Sequence, residues 1–281
     1  MTSTKETNDQ IVHRTPTSSI SSELTEKLNL LKGILKDMSS VAVAYSAGVD
    51  STLLLYIAHE VLGDRMCAIT ATSFVFPENE KEEASGFTRE HGIPLLFFEF
   101  RPMEVPGFRE NPPSRCYHCK KALFTELLSV AEKQGYAHVA EGTNVDDLSD
   151  DRPGLRALEE LGIQSPLRES GLTKEDIREL SRQFGLPTWD KPSFACLASR
   201  FPYGDPITEK QLSMVGQAEA YLATLGLKQY RVRIHNALAR IEVLPGEIHR
   251  LAEPEISAGI TACLKLLGFR YVTLDLTGYH G

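Results

Sequence analysis

Apolar runs alternate with amphipathic segments along the first two thirds of the chain. The runs have the length of buried strands, and they lie at 41–45, 66–72, 94–100 and 137–141, with a shorter fifth strand expected at 165–167. Strands that alternate with helices predict βαβ units, and therefore a parallel sheet with right-handed crossovers. We predict a doubly wound α/β fold for this part of the chain.

The pattern changes near the irregular stretch 189–206. Beyond it we expect a helix at 209–225, alternating strands at 230–235 and 238–244, one long helix at 247–267 and a last strand at 271–276. This is a small α+β unit. We therefore predict a polar, disordered leader at 1–20, an α/β domain at 21–198 and a smaller C-terminal domain at 199–281.

Composition narrows the class of protein. The chain has 281 residues, 42% of them hydrophobic, and a formal net charge of −8, which argues against a nucleic-acid-binding protein. It shows no signal-peptide pattern and no apolar run long enough for a membrane span, so we expect a cytoplasmic protein. The five cysteines indicate free thiols or metal ligands rather than a disulfide framework.

The segment Ser-Ala-Gly-Val-Asp-Ser at 46–51 joins the first predicted sheet strand to an apolar helix. Backbone N–H groups at such a helix start bind phosphate, and a glycine allows close approach. The carboxylate of Asp50 would repel phosphate, which predicts a bridging Mg²⁺. The residues expected to bind nucleotide here are Ser46, Gly48, Val49, Asp50 and Ser51.

Polar residues follow two further predicted strands. Thr70 and Thr72 end the second, and Gly142 and Thr143 follow the fourth. The carboxyl ends of parallel strands form the ligand-binding edge of doubly wound sheets. We expect these residues to contact adenine, ribose or phosphate, and Asp147 to help hold Mg²⁺.

Three cysteines form a further candidate site. Cys116 and Cys119 lie one turn apart at a predicted helix start, where the helix dipole and the neighbouring Lys120 and Lys121 would favour thiolates. Cys196 lies in the irregular stretch, and a fold-back of that stretch would bring three sulfurs together. The spacing leaves open a structural zinc site, a redox pair and an iron–sulfur cluster with one open iron.

Four motifs together resemble the LarE family, PP-loop enzymes that insert sulfur during synthesis of the nickel-pincer nucleotide cofactor. They are SAGVDS, RCYHCKK, EGTNVDD and KPSFACLASRFPYG. The resemblance implies that ATP adenylates a carboxylate of pyridinium-3,5-biscarboxylic acid mononucleotide, with release of pyrophosphate. Sulfur from sulfide or another donor then displaces AMP and leaves a thiocarboxylate. It also implies a homo-oligomer, which is a hexamer in this family.

The resemblance implies two possible sulfur chemistries. In one, a single cysteine at the position of Cys196 gives up its own sulfur and becomes dehydroalanine. In the other, three cysteines hold a 4Fe–4S cluster with one iron not ligated by protein. Since this chain has Cys116 and Cys119 beside Cys196, it resembles the cluster type.

Cationic side chains complete the predicted site. Lys120, Lys121 and Arg200 are the candidates for stabilising the departing pyrophosphate. Arg231 and Arg233 share one face of an alternating strand and are candidates for the phosphate of the mononucleotide. No role is assigned to Glu219, Glu242 or His235.

Two other enzyme classes pair similar motifs with different reactions. A tRNA-thiolating PP-loop enzyme would combine the loop with three cysteines, but the acidic composition disfavours a nucleic-acid substrate. An amide-forming PP-loop synthetase would leave the three cysteines without a task. A non-catalytic nucleotide-binding module would leave Asp50 unexplained as well.

Overall fold

The computed structural model describes residues 21–76, 79–149, 153–193 and 195–279, so the predicted leader at 1–20 lies outside the described residues. The N-terminal sheet comprises β1 Val41–Ala44, β2 Met66–Thr72, β3 Leu95–Glu99 and β4 His138–Ala140. Its order is β3-β2-β1-β4, and each neighbouring pair is parallel. The predicted α/β fold is confirmed.

Helices surround this sheet. They are α1 Ser22–Asp37, α2 Val49–Leu62, α3 Asn79–Glu90, α4 Arg115–Lys133, α5 Pro153–Glu160, α6 Pro166–Glu169 and α7 Lys174–Gln183. Helix α2 is apolar over most of its surface because it is buried in the first core together with α1 and β1. That burial fixes the start of α2 at the carboxyl end of β1, where the loop 45–48 joins them.

The C-terminal unit contains a three-stranded sheet. Its elements are α8 Glu209–Thr224, β5 Tyr230–His235, β6 Leu238–Val243, α9 Ile248–Leu251, α10 Pro254–Leu267 and β7 Tyr271–Leu274. Strand β6 pairs antiparallel with β5 and parallel with β7. None of the helices within the described ranges could span a bilayer.

Two predicted elements are wrong, and proline accounts for both. The strand expected at 165–167 is replaced by α6, which Pro166 begins, and the sheet contact of this region is a single bridge between Ala140 and Gln164. The single helix expected at 247–267 is divided into α9 and α10. Pro254 lacks the N–H that would continue α9, and it begins α10 instead.

The second hydrophobic core extends beyond the C-terminal unit. It includes Val75, Met103 and Phe108 from the N-terminal half, along with Leu197 and Phe201 from the stretch that holds Cys196. The backbone N–H of Leu197 also donates to the carbonyl of Val75 at 3.0 Å. The Cys196 stretch is therefore packed between the two units.

Candidate active site

The phosphate loop, residues 45–51, extends from the end of β1 into the first turn of α2. Its Gly48 is the N-cap of α2 and provides no capping side chain, which leaves the first N–H groups of the helix available to a ligand. Ala47 adopts a left-handed conformation with φ of 53°. The hydroxyls of Ser46 and Ser51 lie 3.2 Å apart, and Ser51 Oγ also accepts from the N–H of Ser46. The loop thus presents hydroxyl and N–H groups at one helix start.

Asp50 and Asp147 are connected by Asn144. The side-chain amide of Asn144 donates to Asp50 Oδ1 at 3.1 Å, and its backbone N–H donates to Asp147 Oδ2 at 3.1 Å. Asp50 Oδ2 forms an ion pair with Lys174. The two carboxylates are therefore held near each other with oxygen atoms of the kind that Mg²⁺ prefers.

A cavity of about 890 Å³ opens at the carboxyl ends of β1, β2 and β4. The phosphate-loop residues Ser46, Gly48, Asp50 and Ser51 line it, together with Thr70, Gly142, Thr143, Asp147, Lys120 and Cys116. The apolar side chains of Leu123, Phe124 and Leu127 on α4 form part of its wall. The volume and the mixed lining suit a nucleotide.

Gly142 allows the loop after β4 to approach α2. A Cβ at this position would lie 3.0 Å from the backbone nitrogen of Ser51 and 3.2 Å from Asp50 Cβ. The preceding Glu141 is buried, and its carboxylate accepts from the N–H and hydroxyl of Thr143 and from the hydroxyl of Ser165. These bonds hold the loop in its own conformation and join it to Ser165 at the start of α6.

A smaller cavity of about 230 Å³ joins the phosphate loop to the Cys196 stretch. Its lining combines Ser46, Gly48, Val49 and Asp50 with Phe76, Glu80, Lys191, Pro192, Ser193 and Cys196. Cys196 is therefore next to the expected position of the nucleotide phosphates.

Lys191 is a residue of this site that the sequence reasoning missed. Its Nζ donates to the carbonyl of Ala47 at 2.9 Å and pairs with Glu83. A lone lysine in an irregular stretch gives no periodic signal. Its place in the KPSFAC motif, five residues before Cys196, was the one available indication.

Glu80 lines both cavities. Burial raises the pKa of its carboxyl to about 7, against a smaller opposing effect of the Lys191 cation and a smaller reinforcing effect of Glu83. The carboxyl therefore titrates near neutral pH beside the phosphate loop.

Burial favours the neutral thiol at two of the cysteines, Cys119 and Cys196. Burial raises the pKa of Cys119 to about 12 and also raises the pKa of Cys196. The expectation that the helix dipole and neighbouring lysines would favour a thiolate is wrong for Cys119, because burial outweighs the nearby cations. Cys116, which lines the larger cavity, is partly exposed.

The described ranges contain no group of three or more His, Cys, Asp or Glu side chains arranged to hold a metal ion. A single ion needs its ligands around one point. A cubane cluster binds each cysteine through a different iron, so its thiols can lie farther apart. A cluster held by Cys116, Cys119 and Cys196 stays a prediction, as does Mg²⁺ binding by Asp50 and Asp147.

Several predicted site residues lie away from the larger cavity. Lys121 pairs with Glu160 on the surface of α4, and the hydroxyl of Thr72 donates to the carbonyl of Phe98 within the sheet. Arg200, only 1% exposed, forms a two-bond ion pair with Glu219. Arg200 also donates to the carbonyl of Ala195 at 2.9 Å, and its expected role toward the departing pyrophosphate stays a prediction.

The two strand arginines hold the Cys196 stretch from β5. Arg231 is buried and donates to the carbonyl of Ser193 at 3.0 Å, and burial lowers its pKa. Arg233 donates to the carbonyl of Ser199 at 3.0 Å and pairs with Glu242. Both are anchored to protein groups, and their expected contact with the substrate phosphate stays a prediction.

Comparisons with known proteins extend these observations. The chain is 42% identical over 257 residues to an uncharacterised protein of Synechocystis, covering 92% of this chain and 96% of that one. It is 37% identical over 258 residues to the pyridinium-3,5-bisthiocarboxylic acid mononucleotide synthase of Lactiplantibacillus plantarum, covering 92% and 93% of the two chains. A glutamine-hydrolysing GMP synthase of Archaeoglobus fulgidus has a component that is 26% identical over 165 residues, about half of each chain. No family model matches the chain.

The similarity to the L. plantarum synthase extends over nearly the full length of both proteins. The phosphate loop and the Cys196 motif, which carried the resemblance in sequence, are adjacent in the structure. The chain belongs to the LarE family.

Proposed function

We propose that this protein is an ATP-dependent sulfurtransferase that makes pyridinium-3,5-bisthiocarboxylic acid mononucleotide from its biscarboxylic acid precursor. The observation that carries the proposal is the smaller cavity, which Cys196 and the phosphate loop line together. Such an arrangement suits a reaction in which a nucleotide activates a group that a sulfur atom then attacks. The name of the L. plantarum relative supports the choice of substrate.

The first step is adenylation. An oxygen of the substrate carboxylate forms a bond to the α-phosphorus of ATP, and pyrophosphate leaves with the electron pair of the broken P–O bond. The N–H groups at the start of α2, with Ser46 and Ser51, bind phosphate oxygens. Lys191 and Lys120, which line the cavities on the two sides of the loop, offset the negative charge that develops.

The second step replaces oxygen with sulfur. A hydrosulfide sulfur forms a bond to the acyl carbon, and the bond from that carbon to the AMP oxygen breaks, so AMP carries away the electron pair. The thioacid formed loses its S–H proton to water and becomes a thiocarboxylate, and the other carboxylate reacts in the same way. A carboxylate itself has no comparable leaving group, which is why ATP is needed.

Asp50 and Asp147 would hold Mg²⁺. The ion would offset charge on the phosphates. Its binding requires Asp50 to exchange the ion pair with Lys174 for the metal.

Cys116, Cys119 and Cys196 would hold a 4Fe–4S cluster. When bound, the cluster would provide one iron not ligated by protein for an external sulfur donor, such as sulfide. The alternative, sacrifice of Cys196 itself, gives Cys116 and Cys119 no task.

We also propose that the protein works in the cytoplasm as a homo-oligomer. The exposed apolar side chains of Leu266, Tyr271 and Leu276 lie on the C-terminal unit, which makes that unit the candidate contact surface. Light scattering after size-exclusion chromatography tests the assembly, and a monomer at micromolar concentration would contradict it.

The proposed activity is tested with anaerobically purified protein, ATP, Mg²⁺, the biscarboxylate mononucleotide and sulfide. We expect AMP, pyrophosphate and a product in which sulfur replaces oxygen, detected by mass spectrometry. The Cys67→Ser variant, which changes a buried cysteine of the sheet, is the matched control and should retain activity. An amide or an unchanged substrate would contradict the proposal.

The mass of the protein after several turnovers separates the two sulfur chemistries. We expect an unchanged mass, with loss of bound iron in the Cys116→Ala, Cys119→Ala and Cys196→Ala variants. A protein lighter by hydrogen sulfide, with dehydroalanine at position 196, would instead show that Cys196 is consumed.

A further inference from the structure

The two segments that carry the cysteines are joined by one arginine. Arg115 begins α4, immediately before Cys116, and is only 4% exposed. One terminal nitrogen of its guanidinium donates to the carbonyl of Ala198 at 2.8 Å, two residues beyond Cys196. The other lies 3.6 Å from Cys116 Sγ, as a donor to the sulfur. Arg115 thus contacts one cysteine and the backbone beside another.

Asn111 holds Arg115 in place. Its side-chain oxygen accepts from the same guanidinium, and its amide nitrogen donates to the carbonyls of Pro202 at 2.7 Å and Asp205 at 3.1 Å. Asn111 is fully buried and has φ of 53°, a conformation that asparagine tolerates better than most residues. The Asn111–Arg115 pair therefore ties the loop before α4 to both sides of the turn after Cys196.

A planar guanidinium suits this arrangement. Its donors are fixed in one fork, so bonds to Asn111, Ala198 and Cys116 determine the position of each partner relative to the others. A lysine ammonium is a single point on a flexible stem and cannot span the same three groups. The Cys196 segment is also fixed on its other side, where Arg200 donates to the carbonyl of Ala195 at 2.9 Å.

We propose that Arg115 is a positioning residue that sets the separation of Cys116 and Cys196. The inference rests on the proposed function in one respect, that Cys116 and Cys196 take part together in sulfur transfer. It holds for either sulfur chemistry, since both need Cys196 at a defined place beside the nucleotide.

The separation of the two thiols can be measured without turnover. In full-length protein with Cys67, Cys119 and Cys263 changed to serine, Cys116 and Cys196 are the remaining thiols. A short bifunctional thiol reagent then links them at a rate that reports their effective concentration. We expect Arg115→Lys to lower this rate about fivefold. The rate at which each thiol reacts with a monofunctional reagent should change less than about twofold, because the substitution leaves the partial exposure of each thiol unchanged.

Arg109→Gln is the matched control. Arg109 also donates to a carbonyl of the loop before α4, that of Met103 at 3.1 Å, but the bonds described for its side chain do not reach either cysteine segment. This variant should leave the linking rate unchanged. Urea unfolding of each variant shows whether it is folded at the reaction temperature.

Asn111→Gly provides a second route if Arg115→Lys does not fold. Glycine keeps the left-handed backbone conformation and removes the acceptor that holds the guanidinium. We expect a smaller decrease of the linking rate in the same direction. A linking rate equal to that of the parent in the folded variants would show that Arg115 only fills space. The linking rate is measured without turnover, so its result does not depend on whether the protein is a sulfurtransferase. The two proposals can therefore fail separately.

Discussion

Asp50 is held in the site by two neighbouring side chains. It accepts from Asn144 and pairs with Lys174, and it lines both cavities. Asp50→Asn keeps the size and removes the charge that would hold Mg²⁺. We expect pyrophosphate release to fall at least about a hundredfold, as for loss of a group that stabilises the transition state.

The control for this change is Asp64→Asn, an exposed residue just beyond the C-terminal end of α2. It should leave pyrophosphate release and the thermal midpoint unaltered. Normal release by the Asp50 variant would remove its carboxylate from the reaction.

Glu80 makes stability depend on pH. Its folded-state pKa of about 7 lies above the usual value of 4.5, so the folded protein binds the proton more tightly than the unfolded chain. The stabilising contribution is complete below pH 4.5 and is lost as the pH rises through 7. Glu80→Gln should abolish this loss and raise the free energy of unfolding at pH 8 by on the order of 2 kcal/mol.

Urea unfolding of both proteins between pH 4.5 and pH 8 measures this effect. The exposed Glu23→Gln on α1 is the control and should follow the parent protein at every pH. Parallel stability curves for Glu80→Gln and the parent would show that Glu80 ionises normally.

At the scale of elements, the site depends on how closely the loop after β4 approaches α2. In Gly142→Ala the added methyl group would press on the backbone nitrogen of Ser51, where the contact distance would be 3.0 Å. The start of the helix or the loop must then move. We expect ATP affinity to fall about tenfold, measured by calorimetry, because the N–H groups lose their alignment.

Gly86→Ala on α3 is the matched control, since a Cβ there meets nothing within 4 Å. It should leave ATP affinity unchanged and stabilise the helix slightly. Equal ATP affinity in both variants would show that ATP binding does not depend on the close approach of the loop after β4 to α2.

Local sequence was sufficient to predict some elements of the structure and not others. The phosphate loop was predictable because strand, turn and helix follow one another within a dozen residues. The strand prediction at 165–167 was wrong because a segment of three residues is too short to show strand periodicity, and Pro166 favours the first turn of a helix. Lys191 and the raised pKa values of Cys119 and Cys196 depend on packing between distant segments, which periodicity does not record.

At the scale of the whole molecule, the second core joins the two units. Val75, Met103 and Phe108 pack with side chains of the C-terminal unit, so neither unit can unfold without exposing apolar surface of the other. We expect one cooperative transition. Thermal unfolding followed by far-ultraviolet circular dichroism and by fluorescence of Trp189, the one tryptophan of the chain, should give the same midpoint.

Phe108→Ala tests the reason for this cooperativity. It should destabilise the protein by about 3–5 kcal/mol and lower the midpoints of both probes together. Two separate transitions in the parent protein would show that the units fold independently.

The bond from Lys191 to the carbonyl of Ala47 has a thermodynamic consequence. The bond joins the backbone that is expected to bind phosphate to the segment that holds Cys196, so the two sites are thermodynamically coupled. Occupation of one then changes the affinity of the other, and linkage requires the factor to be the same in both directions. If nucleotide weakens the equilibrium binding of a reversible ligand of the Cys196 thiol, that ligand must weaken nucleotide binding by the same factor.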